Sequence, residues 1–453
     1  MLRRVRLDFI LNYFKNEDRS KNIQANIVGS FFLKGISIIL SLVVVPLTID
    51  YISPYQYGVW ITLSSVIGWL SFFDIGFGNG LKNKFVEAIA HGDIKLAKIY
   101  VSTTYGIMAI IISGIWLVTI LVSRFVNWSE FLNVDKIENI DLYNVVFIVL
   151  TTFAFQFILG LLNTILISIQ KPVITSVINV VSQLLILIGI LVLTKTTAGS
   201  LTNLSLVMGG VNTIVLLLFS LYFFNTSLAK YAPSLKHVDF KYAKDLLKIG
   251  VRFFILQIVA IVYYETNNII ITKTLSPLDV TIYNLAFKYM SILGMAFGII
   301  LTPFWSAFIE ASVLKDYAWM KAVKKKLYIG FSFFVVLGII LVLMSSLFYQ
   351  LWFGKKVSIP LQLTILMGIW QICNMWNSLH STLIYGFSKI KIQLICSVLV
   401  GVLNIPLTMF LCEKLGLNGV AMSQIFLALL IAWVGPLQLN KLINEKAYGI
   451  WNK

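Results

Sequence analysis

Ile52-Ser53-Pro54 returns as Leu275-Ser276-Pro277, 223 positions further along the chain. At the same offset and without a gap, Phe85, Glu87, Ala88, Asp93 and Lys98 return as Phe308, Glu310, Ala311, Asp316 and Lys321. A second echo, offset by 218, carries Thr164 onto Thr382 and Lys171 onto Lys389. The repeated unit is about half the chain, far longer than a solenoid repeat, so a whole helical bundle has been duplicated. Two similar halves in a very apolar chain are the usual plan of a transporter that alternates access across a membrane.

Composition points the same way. Hydrophobic residues make up 58% of the 453 residues and charged residues 12%, about half the charged share of a soluble domain. The apolar residues fall in runs of 20 or more, each long enough to cross a hydrocarbon core about 30 Å thick. We read twelve spans, at roughly 23–49, 55–78, 99–122, 142–168, 172–194, 203–225, 249–272, 279–303, 327–349, 358–385, 391–412 and 416–439. Such segments must be helical, because hydrocarbon offers no water to their backbone. The expected fold is an all-α polytopic membrane protein, with six-helix lobes at 1–225 and 249–453 joined by a linker at 226–248. Lys230, Lys236, Lys241, Lys244 and Lys248 make the linker read as a cytoplasmic segment with an amphipathic surface helix. The first apolar run follows a polar stretch with no small-residue cleavage site nearby and reads as a retained span.

Basic residues orient the spans. The N-terminal stretch (Arg3, Arg4, Arg6, Lys15, Arg19, Lys21), every second connection after it and the C-terminus hold 26 Lys and Arg; the opposite side holds 7. The positive-inside rule then puts both termini in the cytoplasm. The net charge of +17 is explained by loops facing anionic lipid head groups, without a nucleic-acid partner. The three cysteines, Cys373, Cys396 and Cys412, all lie within spans and suggest neither a disulfide framework nor a metal site. Among catalytic signatures there is no P-loop lysine, no HExxH and no GxSxG, and His91, His237 and His380 are scattered. The chain is therefore expected to be a transporter rather than an enzyme, with no cofactor.

Several stretches resemble a known family. Tyr51-Ile52-Ser53-Pro54-Tyr55-Gln56-Tyr57-Gly58-Val59-Trp60, Phe73-Asp74-Ile75-Gly76-Phe77-Gly78 and Glu87-Ala88 are similar to the first outer turn and second helix of the polysaccharide-repeat flippases. Pro303-Phe304-Trp305 with Glu310-Ala311 and Asp316 matches the corresponding place in the second half, and Leu417-Asn418-Gly419-Val420-Ala421 resembles the opening of their last helix. These are the Wzx-type O-antigen and capsule exporters of the multidrug/oligosaccharidyl-lipid/polysaccharide superfamily. The resemblance implies two lobes around a central, cationic cavity, in a bacterial inner membrane. It also implies a cargo, an undecaprenyl-pyrophosphate-linked oligosaccharide carried from the cytoplasmic to the outer leaflet for lipopolysaccharide or capsule biosynthesis. Membrane lipids and a polymerase of the same pathway are the implied partners.

Ionisable groups within spans cost about 2.5–3.5 kcal/mol each on insertion scales, so each needs a reason. Lys34 and Lys288 lie deep in their spans and read either as cargo-facing cations or as snorkelling or ion-paired lysines. Arg252 continues a Lys244, Lys248, Arg252 stripe, so a phosphate contact and a basic interfacial face are both open. Asp74, beside Gly76, Gly78 and Gly80, reads as a hinge, a salt bridge or a cargo contact. Glu265 stands in Tyr263-Tyr264-Glu265-Thr266-Asn267-Asn268, the densest polar run of any span. It is either a coupling carboxylate or a neutraliser of a lysine, with Asn267 and Asn268 as coupling or gating companions. The 218-residue echo pairs Gln156 with Asn374, and Gln371, Asn374, Asn377 and Ser381 form one stripe. Such a stripe binds either sugars or neighbouring helices.

Three functions compete at this point. A lipid-linked oligosaccharide flippase accounts for the cationic spans. An ion-coupled multidrug exporter of the same superfamily would favour an acidic lumen. A membrane glycan polymerase or acyltransferase would want a large catalytic outer loop, whereas the longest here is about Ser123 to Asp141.

Overall fold

The computed structural model describes residues 17–70, 76–134, 141–169, 171–387 and 389–452. Among them the secondary structure is helical throughout. In chain order the helices are α1 (Glu17–Tyr51), α2 (Pro54–Gly68), α3 (Phe77–Ala90), α4 (Ile94–Ser123), α5 (Trp128–Phe131), α6 (Leu142–Leu159), α7 (Leu161–Ser168) and α8 (Pro172–Thr196). Then come α9 (Leu201–Ser205), a π-turn at Leu206–Gly210, α10 (Val211–Asn225), α11 (Ala243–Thr274), α12 (Pro277–Leu314), α13 (Tyr317–Phe353), α14 (Leu361–Tyr385), α15 (Lys391–Ala432) and α16 (Val434–Ile443).

Eight stretches of the described residues are long and apolar enough to cross a membrane. Lys391–Ile443 counts once there, yet Gly416, at φ 60° and ψ −140°, interrupts the helix where the sequence separates 391–412 from 416–439. The other three expected spans fall on α2, α11 and α14.

The sequence repeat is a repeat of helix starts. Ser53 caps α2 by accepting from the Gln56 N–H, with Pro54 as first helical residue. Ser276 caps α12 by accepting from the Asp279 N–H, with Pro277 in the same place. Asp93 accepts from the Leu96 N–H to start α4, and its counterpart Asp316 accepts from the Trp319 N–H to start α13. Each such cap stabilises its helix by about 1 kcal/mol. Phe85 and Phe308, the paired aromatics, are both fully buried.

The chain packs as two compact units, and their composition departs from a simple halving. The first comprises Met1–Tyr51, Ser71–Val126 and Ile140–Phe254; the second comprises Ile52–Leu70, Asn127–Asn139 and Ile255–Lys453. The first closes around Leu81, Phe85, Val101, Met108, Leu162 and Ile165. Up to Tyr242 the connection after α10 is not the amphipathic helix expected from its lysines, of which Lys244 and Lys248 fall in the start of α11. It runs as three 3₁₀ turns, Ala229–Tyr231, Leu235–His237 and Phe240–Tyr242. Hydroxyls on α4 hold it there: Ser234 N–H donates to Ser102 Oγ at 3.1 Å and Asp239 N–H to Thr103 Oγ1 at 3.0 Å. Pro233 interrupts the stretch, and a proline disfavours helix for the residue before it.

In the second unit the core gathers Leu293, Phe297, Phe308, Leu379, Leu383 and Leu439. Here the two repeat motifs meet. Thr281 on α12 donates its hydroxyl to the Pro54 carbonyl at 2.6 Å. Gly58 on α2 packs against the Pro277 carbonyl so closely that a Cβ would run into the oxygen. Position 58 is the counterpart of 281, and 54 of 277, at the repeat offset. The contact is thus made twice, once from each copy.

Candidate functional site

The polar run of α11 is where buried hydrogen-bonding groups concentrate. Asn267 and Asn268 are 2% and 7% exposed, which makes every unpaired amide atom costly. Both are engaged. Asn268 Nδ2 donates to Ser65 Oγ on α2 at 2.9 Å, and its Oδ1 accepts from Asn284 Nδ2 on α12 at 2.7 Å. Asn267 Oδ1 accepts from Gln424 Nε2 on α15 at 3.2 Å, while its own amide reaches the Tyr283 hydroxyl at 3.4 Å. Gln424 Nε2 also lies 2.8 Å from Asn404 Oδ1, and Asn404 donates to the Val262 carbonyl at 3.2 Å. Thr408 and Ser423 share a hydrogen bond of 2.8 Å beside them. One turn earlier, the Trp370 indole on α14 donates to the Tyr263 hydroxyl at 3.0 Å. Four helices are therefore tied to α11 by side-chain amides and hydroxyls rather than by charge.

Glu265 stands beside this network, half-buried. Its carboxyl carbon is 3.4 Å from where a Cβ of Gly68 would lie, so the bare glycine of α2 leaves it room. Among the described residues the one ion pair joins Lys84 to Glu87 at 2.8 Å; none involves Glu265. That pair lies on α3, where the Lys84 ammonium holds the Glu87 carboxyl below its ordinary pKa. Lys288 lies half-buried on α12 in the same unit as Glu265, and its carbonyl accepts the Ser291 hydroxyl. Lys34 is an exposed residue of α1, in the first unit. Asp74 and the Arg252 side chain lie outside what is described.

The remaining expected contacts divide. Gln156 is fully occupied within the first unit: its amide donates to the Gly209 carbonyl at 2.9 Å and to Thr213 Oγ1 at 3.2 Å, and its oxygen accepts from Asn212 at 2.8 Å. Two of these bonds end at the π-turn: Gly209 belongs to it, and Thr213 donates its own hydroxyl to the same Gly209 carbonyl at 2.8 Å. Its partner in the echo, Asn374, is half-buried on α14 with no hydrogen-bond partner among the described residues. Further along that stripe, Asn377 donates to the Ala428 carbonyl at 3.0 Å and Ser381 to Gln393 at 3.4 Å. Those two positions bind neighbouring helices. His380 is neither exposed nor near a second ligand: Nε2 pairs with the Tyr328 hydroxyl at 2.7 Å and Nδ1 with the Trp376 carbonyl at 2.8 Å. No group of metal-binding side chains is found among the described residues.

Sequence reasoning missed Ser65, Asn284, Asn404 and Gln424. The available signal was an isolated amide inside an otherwise apolar span, which in a membrane usually means a partner on another helix.

Known proteins place this geometry in context. No family model matches the chain. Among curated proteins it is similar to a "Putative O-antigen export protein" of Yersinia pseudotuberculosis, 25% identical over 376 residues, which is 79% of this chain and 81% of the relative. It is also similar to a "Putative O-antigen transporter" of Salmonella typhimurium, 23% identical over 202 residues, covering 42% and 45% of the two chains. Among solved structures, the inward-facing conformation of a multidrug resistance MATE family transporter of the MOP superfamily superposes with a TM-score of 0.73 at 11% identity, over 93% of this chain and all of the other. The outward-facing conformation of such a transporter gives 0.61 at 12% identity, over 94% and 97%. The chain is a multi-pass membrane protein with the MATE transporter fold, and its sequence relatives are named as O-antigen exporters.

Proposed function

We propose that this transporter moves an undecaprenyl-pyrophosphate-linked oligosaccharide repeat unit from the cytoplasmic to the outer leaflet of a bacterial inner membrane, by alternating access. The observation that carries the reading is likeness to O-antigen export proteins along most of the chain. A fold solved in both inward- and outward-facing forms supports the alternation. The charge of the spans fits the cargo: Lys34, Lys288 and Arg252 are cations set among apolar residues. A pyrophosphate needs countercharge to enter a region where each bare charge costs several kcal/mol. Moving one negative charge outward through an inside-negative membrane gains about 2.3 kcal/mol per 100 mV, so the potential itself drives the export step. In this reading Glu265, with Asn267, Asn268 and Asp74, serves coupling or gating, and Asn374 is the polar contact to the sugar, a role that Gln156, engaged by Gly209, Thr213 and Asn212, does not keep. The handover partner on the outer face is a polymerase of the same pathway.

The test is a chromosomal deletion of the gene in its host, scored for surface polysaccharide and for lipid-linked repeat units retained on the cytoplasmic side. Restored surface glycan on complementation supports the reading; unchanged glycan in the deletion strain sinks it. Ion-coupled multidrug export is the second reading, favoured by the multidrug transporters that share the fold. It predicts that the deletion raises sensitivity to organic cations while leaving surface glycan intact.

A further inference from the structure

The second unit holds a cavity of about 450 Å³ whose lining includes none of the amides of the α11 network. Its volume falls in the range of small-ligand pockets, roughly 300–1,000 Å³. Val66 and Trp69 at the end of α2, Phe131 of α5, and Ile405 and Met409 of α15 make its walls apolar. The fourth wall is α11, with Thr274 at its end and a stripe of four: Thr266, Ile269, Ile270 and Lys273, at i, i+3, i+4 and i+7. Two of these four are polar, and they stand at opposite ends, about 10 Å apart along the helix.

Thr266 is 5% exposed and its hydroxyl has no hydrogen-bond partner among the described residues. Threonines elsewhere in these helices, such as Thr48 and Thr104, turn back onto the carbonyl four residues earlier. For Thr266 that carbonyl belongs to Val262 and is taken by Asn404. The hydroxyl is thus left unpaired among the described residues, buried behind the cavity wall. At the other end, Lys273 rests its ammonium over the Phe131 ring at 4.7 Å and donates once, to the Glu130 carbonyl at 3.3 Å. An ammonium has three donors, and no ion pair to Lys273 is found among the described residues. The Glu130 carboxylate instead accepts from Asn127. Carbonyls at the end of α11 would repel an anion, but Asn133 Nδ2 covers those of Thr272 and Leu275 at 3.1 and 2.9 Å.

We infer that this cavity binds an anionic phospholipid, its phosphate on Lys273 and the start of one acyl chain along Ile269 and Ile270. The order of groups fits: in such a lipid the acyl chain follows the phosphate, as Ile270 and Ile269 follow Lys273 back along the stripe. The site is separate from the cargo reading and stands or falls without it.

The test uses the full chain in phosphatidylcholine nanodiscs carrying a minor fraction of brominated lipid, because bromine quenches a tryptophan it touches. The Trp69 signal is taken as the difference between the parent protein and Trp69→Phe. Brominated phosphatidic acid should quench that signal several-fold more than brominated phosphatidylcholine at the same fraction. Lys273→Gln should erase the preference, and Ile270→Phe, which fills the cavity, should remove quenching by both lipids. Ile270→Phe is interpreted only with an unchanged melting temperature; Val66→Phe fills the cavity from α2 as a second variant. Equal quenching by the two lipids in the parent protein overturns the inference. So does release of the quench by inorganic phosphate, which would mean that the site reads a free anion rather than a lipid.

Discussion

Glu265 backs onto Gly68, its carboxyl carbon 3.4 Å from the place a β-carbon would occupy. A glycine there lets a carboxylate sit between α2 and α11 without a countercharge among the described residues. Two roles were open for Glu265, proton coupling and neutralisation of a lysine, and they differ in what a neutral isostere does. Glu265→Gln should leave thermal stability in detergent within about 0.5 kcal/mol, as for a change that breaks no pair, while export stops. A destabilised Glu265→Gln that a second Lys→Met change rescues, in both stability and export, would remove Glu265 from the transport cycle.

The cations carry a separate expectation. Lys34→Arg and Lys288→Arg should retain much of the export, because the charge remains. Each Ala variant should lose at least about tenfold, equivalent to some 1.4 kcal/mol of lost charge stabilisation, with the protein still in the membrane. Normal surface glycan from both Ala variants would end the role of these lysines.

Gly58 predicts a purely structural defect. Alanine normally improves a helix over glycine by about 1 kcal/mol, yet at position 58 its methyl would strike the Pro277 carbonyl. Overpacking of this kind costs about 1–3 kcal/mol, so Gly58→Ala should lower the melting temperature. Gly114→Ala on α4 is the control, since nothing lies within 4 Å of the added methyl, and it should not lower it.

Removing Gln424 tests the amide network. Gln424→Leu leaves Asn267 Oδ1 and Asn404 Oδ1 without their shared donor. Interhelical hydrogen bonds in membranes are worth about 0.6–2 kcal/mol, so a loss of that size is expected by thermal unfolding. Combined with Asn404→Leu, the cost should be less than the sum of the two singles. Strict additivity would show that the two residues do not share one network.

Orientation is tested by labelling. With Cys373, Cys396 and Cys412 replaced, a cysteine at Lys236 should react only after the membrane is opened from the cytoplasmic side, and one at Ser129 should react from outside. The reverse pattern would invert the topology.

Much of the fold was legible because hydrocarbon demands long apolar helices and because helix starts leave a signature. The Ser-Pro and Asp positions that repeat in the sequence are the residues that cap α2, α12, α4 and α13. What could not be read was which unit a helix joins. Nothing local in Pro54–Gly68 says that it packs with residues beyond 255, since that is decided by the fit of Gly58 to a carbonyl more than two hundred residues away. The site was half legible. The polar run of α11 announced itself, but Gln156 looked like its equal and is spent on a π-turn. Gln424 was invisible because one amide in an apolar span shows no periodicity of its own.

The doubled contact between Pro54–Gly58 and Pro277–Thr281 has a consequence for how such a chain could arise. In the terms used for assemblies it is isologous: the same patch meets itself across a local two-fold axis. A half-length chain bearing that patch could have met a second copy of itself in the same way, and fusion of two genes would then keep an interface that already existed. Fusion also frees the copies to diverge. Here one has kept a threonine that donates to the proline carbonyl, and the other a glycine that yields to it.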